Sequence, residues 1–182
     1  MAHTILNSID NLKSAIGRRN GLARTNRFLV QFTPPITGVY KLDTEDLRDL
    51  SILCESCSLP TRSITTLDYK LLRHSIKIAN GYTNSDVSFA FNLTGDYMIK
   101  KVFDLWISQI INTNSYTAAY VNEYTAVVDI QQLDSYGLPV YTVKLLDAYP
   151  LSVQSIPLDN NASDSTQKVT VEFTYRDYEV IF

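Results

Sequence analysis

The chain has 182 residues, enough for one domain with a substantial core, and its 45% hydrophobic and 19% charged residues exclude a disordered polar chain. A net charge of −3 gives no overall attraction to nucleic acid, and no apolar run is long enough to span a bilayer. The opening residues, Met1 to Asp10, lack the basic start and continuous apolar core of a secretory signal, so synthesis in the cytoplasm is expected.

Ile5, Ile9, Leu12 and Ile16 recur at helical spacing and share one face, and Gly17 follows where a helix ends. A helix this short is marginal in water, so its apolar stripe is expected to dock on the same chain or on a neighbour. Arg18, Arg19, Arg24 and Arg27 come next. With no aromatics between them, they suit pairing with carboxylates across an interface better than contact with nucleic acid. Residues 1–23 thus read as an N-terminal helix with a basic arm, and residues 24–182 as one β domain without an internal repeat or linker.

Phe28, Val30 and Phe32 alternate with Leu29 and Gln31 in a first strand that stops at Pro34-Pro35. Residues 43–50, rich in Asp43, Glu45, Asp46 and Asp49, predict an acidic loop or one helical turn. Residues 51–57 predict a second strand ending before Leu59-Pro60. Residues 64–79 predict a long hairpin arm with a basic stretch from Lys70 through Arg73 to His74, and Asn80-Gly81 is a turn signal. Val87, Phe89, Phe91 and Leu93 alternate cleanly.

Asp96 is placed to cap a helix whose buried stripe is Ile99, Val102, Phe103, Trp106 and Ile110. Residues 112–124, with Tyr116, Tyr120 and Tyr124, predict a loop. A strand over 126–133, a turn at Asp134-Ser-Tyr-Gly137 and a strand over 139–146 form a hairpin. A kink at Ala148-Tyr-Pro150 precedes a short strand over 151–156, and residues 160–165 predict a solvated loop. Val169, Val171, Phe173 and Tyr175 share one face of a last strand running on to Phe182. The expected fold is mainly β and antiparallel, a sandwich or barrel-like unit, with one packed helix and a short N-terminal one. Phe89, Phe91, Phe103, Trp106 and Phe173 are its expected core anchors.

Catalytic chemistry finds no constellation here. Cys54 and Cys57 form a lone Cys-x-x-Cys without a second ligand pair, and the two His residues sit in no ligand-like spacing. No Gly-rich phosphate loop or Ser/His/Asp arrangement occurs. Neither an enzyme nor a cofactor or metal site is expected.

Four segments carry a resemblance in order and spacing. They are Arg24-Thr-Asn-Arg-Phe-Leu-Val-Gln-Phe32; Cys54-Glu-Ser-Cys-Ser-Leu-Pro60; and Ser85-Asp-Val-Ser-Phe-Ala-Phe-Asn-Leu93 with Phe103-Asp-Leu-Trp106. The fourth joins Gly137-Leu-Pro139, Ala148-Tyr-Pro-Leu-Ser-Val153 and Val169-Thr-Val-Glu-Phe-Thr-Tyr175. Across residues 24–178 the chain resembles the tail-tube proteins of contractile-tailed bacteriophages, including their baseplate tube initiators and the related tube proteins of type VI secretion. The N-terminal helix departs from the simplest tube subunits and adds weight to a baseplate-proximal initiator ring, beside the repeated shaft subunit that the resemblance equally allows.

The resemblance implies a virion structural protein whose copies form hexameric rings, stacked inside a sheath and joined to baseplate proteins, with DNA leaving through the lumen. The arm over 61–79 and the acidic 43–50 segment become candidate contacts, with Arg18, Arg19, Arg24, Arg27, Lys70 and Arg73 among the intersubunit residues. A monomeric β-sandwich module that binds protein or carbohydrate through the Tyr-rich 116–124 segment is the alternative.

Overall fold

The structure, a computed structural model, describes residues 9–19, 21–33, 43–71, 74–113, 115–159 and 166–181. Pro34-Pro35, the Arg73 end of the basic stretch and the expected 160–165 loop fall outside them. The first helix, α1, spans Ile9–Arg18 and buries none of its residues. Strand β1, Phe28–Thr33, turns Val30 and Phe32 into the core.

The acidic segment is neither loop nor single turn. It is a ten-residue helix, α2, Thr44–Leu53. The Asp43 backbone N–H donates to Asp46 Oδ2 at 3.3 Å, closing a capping box. Leu50 is buried, with Leu47 and Leu53 packed at the core margin. Because α2 runs through Leu53, the second strand keeps only Cys54–Cys57 (β2) of the expected 51–57.

The arm is longer than its sequence suggested. Strands β3, Arg62–Leu71, and β4, His74–Asn84, form an antiparallel hairpin. Asn80-Gly81 is not its turn. Pairing passes from Thr65↔Gly81 to Thr66↔Ala79, so Asn80 is the extra residue of a bulge inside β4. Glycine suits this place because a Cβ on Gly81 would stand 3.1 Å from Thr65 Oγ1.

Strand β5, Val87–Asn92, alternates buried and half-buried residues as its sequence does. Helix α3, Met98–Ile110, begins one residue later than an Asp96 cap requires, with Tyr97 in the left-handed region at φ 57°. Asp96 still serves the first turn: its Oδ1 accepts the Met98 N–H at 3.3 Å and the Thr94 hydroxyl. Residues 112–124, expected as loop, contain a small hairpin (β6, Ile111–Asn112; β7, Thr117–Ala118) and a helical turn, α4, Val121–Tyr124. The described residues therefore carry four helices, two more than expected.

Strand β8, Ala126–Leu133, has the expected bounds. Its turn is held by Asp134, whose Oδ1 accepts the Tyr136 and Leu138 N–H groups at 2.7 and 3.0 Å, while Gly137 takes φ 83°. The two strands expected over 139–146 and 151–156 are one, β9, Pro139–Val153. It bends at Asp147, φ 52°, where Arg176 Nε pairs with Asp147 Oδ2 at 2.7 Å. The C-terminal strand is divided at the same corner into β10, Lys168–Thr174, and β11, Asp177–Ile181.

All pairing is antiparallel, in the order β1-β8-β9-β10-β5-β2, with β11 on the other side of β9. The first part of β9 pairs β8 and β11, and its last part pairs β10, so this one strand joins both walls. The sheet does not close into a barrel. Phe32 of β1 nonetheless reaches Phe89 of β5 at 5.6 Å between ring centroids, so the two walls meet over a shared core.

Phe173 stands at its centre, 5.3 Å from Phe89, 5.8 Å from Phe103 and 5.8 Å from Trp106. Phe89, Phe91, Phe103, Trp106 and Phe173 are all buried, and Trp106 Nε1 donates to the Tyr124 carbonyl at 2.7 Å. Phe173→Ala is expected to cost about 3–5 kcal/mol, read as a lower urea midpoint with the chain dispersed; an unchanged midpoint would contradict this placement.

Candidate functional site

Among the described residues the β3–β4 arm is the largest element that pairs with no strand of the main sheet. Every residue described along it is exposed except Asn84 at its base. Leu67 pairs with Ile78 and Tyr69 with Ile76, so these four side chains form one contiguous patch on one face. Each is half or more exposed. Water-facing hairpins normally alternate with polar residues here, and an apolar patch of this kind marks a contact surface.

A clamp fixes the base of the arm to the main sheet. The Arg62 guanidinium pairs with Asp177 Oδ1 of β11, and its Nε donates to Asn84 Oδ1 at 3.2 Å. It lies 4.5 Å from the centroids of both the Tyr82 and Tyr178 rings, between the arm and β11. Tyr82 and Asn84 donate to the Asp177 carboxylate at 3.4 Å each, and Tyr175 OH donates to the Ser85 carbonyl at 2.8 Å. The Tyr178 backbone N–H, followed by the Arg62 guanidinium, holds the Asp177 carboxyl below its ordinary value of 3.8. Burial pushes the Tyr175 hydroxyl up. Sequence reasoning missed this clamp because Arg62 and Asp177 lie 115 positions apart.

The charged candidates divide into separate places. Arg18 Nε donates to the Ser14 carbonyl at 3.4 Å on α1, and Arg27 Nη1 donates to the Asp134 carbonyl at 2.9 Å. Arg19, Arg24 and Arg27 line one cavity of about 300 Å³ beside the β8–β9 turn. Asp43 and Asp46 serve the α2 cap, whereas Glu45 and Asp49, one turn apart, are exposed. Lys70 lies exposed near the far end of the arm, and Arg73 is outside the described residues. Within one chain the basic and acidic sets make no ion pair with each other among the described residues.

The open margins of the sheet face each other. A cavity of about 470 Å³ has Phe28 of β1 on one side and Glu55 and Cys57 of β2 on the other. A second of about 500 Å³ lies between β1 and α2, against Leu29, Gln31, Arg48 and Ile52. Helix α2 packs on β1, β2 and β5, so it plugs part of this seam.

Cys54 and Cys57 are free thiols at the two ends of β2. Burial pushes Cys54 up to about 12, with the neighbouring Cys57 adding to the shift, and burial alone pushes Cys57 to about 11. Among the described residues no group of three or more His, Cys, Asp or Glu is arranged to hold a metal ion.

Two outcomes follow from this geometry. Arg62→Ala is expected to speed proteolytic cleavage within residues 62–84 severalfold while the core unfolding midpoint barely moves; unchanged cleavage would show that the clamp does not hold the arm. Because folding lowers the Asp177 pKa, its contribution is present above 3.8 and is lost as pH falls through the depressed value. Protection of the arm's base, around Arg62 and Asn84, is therefore expected to persist at pH 5 and to fall in stronger acid.

In sequence, residues 23–181 match the family model described as phage tail tube protein. No curated protein matches the chain. Similar folds occur in contractile injection systems. A chain of the anti-feeding prophage baseplate matches with a TM-score of 0.63 at 18% identity, covering 88% of this chain and 95% of that one. A chain of the PVC sheath–tube complex in its extended state gives 0.62 at 15% identity, covering 96% and 98%. A chain of the PVC sheath/tube terminator gives 0.63 at 15%, covering 88% and 97%. Because that family model covers residues 23–181 of the 182, this chain belongs to the phage tail tube protein family.

Proposed function

We propose that copies of this chain close into six-membered rings that stack into the hollow tube of a contractile tail, with sheath outside and baseplate at one end. The observation that carries this reading is the exposed two-stranded arm, clamped at its base by Arg62 and Asp177 and apolar on one face. A lone two-stranded hairpin is marginal in water. A neighbouring subunit supplies what the arm lacks, and repeating one unlike contact by rotation closes a ring.

Charge supports stacking in the same way. Glu45 and Asp49 are exposed on α2, and the oppositely charged Arg19 and Arg24 border the cavity beside the β8–β9 turn. In the proposed tube they meet between copies, which fixes register more than it adds affinity. Lys70 sits where the arm reaches the next subunit. Residues 43–50 are not a dispensable loop, since Leu50 is in the core. Charge reversal tests the contact better than deletion. Glu45→Lys with Asp49→Lys is expected to leave a folded chain that fails to form tubes, with tubes returning when Arg19→Glu and Arg24→Glu are added. Normal tubes from the first pair would contradict the contact.

Six copies at −3 give −18 per ring, and this net like charge disfavours retention of DNA phosphates on passage. Electron microscopy of the purified chain tests the whole reading. Long tubes identify the repeated shaft subunit. Rings that form only when a baseplate or a tube end is added identify the initiator. A chain that stays monomeric at high concentration under both conditions contradicts the proposal and favours a binding module built on the exposed Tyr116 and Tyr120.

A further inference from the structure

A second exposed apolar face lies on α1. Ile9 and Leu12 are 70% and 61% exposed, Ile16 is half-buried, and all three share one helical face. The arm presents the other such face, Leu67, Tyr69, Ile76 and Ile78. One is a convex helix stripe and the other a flat pleated patch, so they are unlike surfaces carried by the same molecule.

The two faces are rooted at different rows of the β8–β9–β11 wall. The segment after α1 enters β1 at Phe28, which pairs with Gln132, and Gln132 in turn pairs with Tyr141 of β9. The arm is clamped to Asp177, which pairs with Leu146. Tyr141 and Leu146 are five residues apart on one strand, about 17 Å at the usual rise. Stripe and patch are thus rooted apart on one copy, so that the stripe of one copy can meet the patch of the next.

From these two faces we infer that the α1 stripe of one copy covers the Leu67–Tyr69–Ile76–Ile78 patch of the next. The inference rests on the self-assembly reading and names the surfaces that reading leaves open. Four side chains span only a few hundred Å², below the about 800 Å² per partner of a stable pair. A single such contact is therefore weak. Every copy in a closed ring or stack makes it twice, once with each face, and multivalency then holds the assembly.

Cross-linking tests the inference directly, because the raised pKa values of Cys54 and Cys57 leave them slow to react near neutral pH. The chain carrying both Leu12→Cys and Ile78→Cys is expected to give a ladder of disulfide-linked multimers under mild oxidation. An equal mixture of the two single variants should stop at linked dimers, and each single variant alone should give none. Neither position is buried, so both variants keep the fold. Assemblies without cross-links in the double variant would overturn the α1–arm contact and leave the tube reading standing. Dimers from a single variant would also overturn it, by showing a symmetric contact. Absence of any assembly by sedimentation, in wild type and variants alike and with a baseplate or tube end supplied, would instead sink the self-assembly reading and this contact with it.

Discussion

A two-stranded hairpin in water gains too little from its own pairing to offset the entropy of ordering its backbone. The β3–β4 arm is such a hairpin, with ten and eleven residues in its strands and an apolar patch facing outward. Its cross-strand pairs and the clamp at its base are what the single chain supplies. In the proposed assembly a neighbouring copy supplies the remaining stabilisation. That requirement shapes the functional reading more than any single residue does.

The rest of the molecule is built to hold the arm steady. Phe173 links β10 to Phe89 of β5 and to Phe103 and Trp106 of α3, and Phe32 brings β1 into the same cluster. The walls are thereby locked together although the sheet never closes. The chain of β10 then turns at Arg176 into β11, where Asp177 receives Arg62. Only three residues of sequence separate Phe173 from Asp177 of the clamp, so the arm is mounted close to the aromatic core. Helix α2 covers part of the seam between β1 and β2, and it carries Glu45 and Asp49 to the surface while anchoring itself through Leu50.

Elements whose signal is local were legible in the sequence. The alternation of Val87, Phe89 and Phe91 and of Val169, Val171 and Phe173, and the stripe from Ile99 to Trp106, each bury the face their period marks. Helix α2 was hidden by its acidity, although Leu47, Leu50 and Leu53 recur every three residues behind an Asp43–Asp46 cap. Asn80-Gly81 failed as a turn because pairing on both sides of it outweighed the local preference and left only a bulge. The bends near Asp147 and Arg176 depend on each other across the fold, so neither β9 as one strand nor the division of β10 from β11 was visible locally. The arm's apolar residues were legible as an arm. Their exposure, and that of α1, became apparent only once the core was seen to be complete without them.

Hydrogen exchange of the arm amides, compared between dispersed and assembled protein, tests the central claim most directly. The account predicts rapid exchange over residues 64–69 and 76–82 in the dispersed chain and strong protection after assembly, with the amides around Phe89 and Phe173 protected in both. Arm amides already as slow as the core in the dispersed chain, or still fast in the assembly, would contradict it.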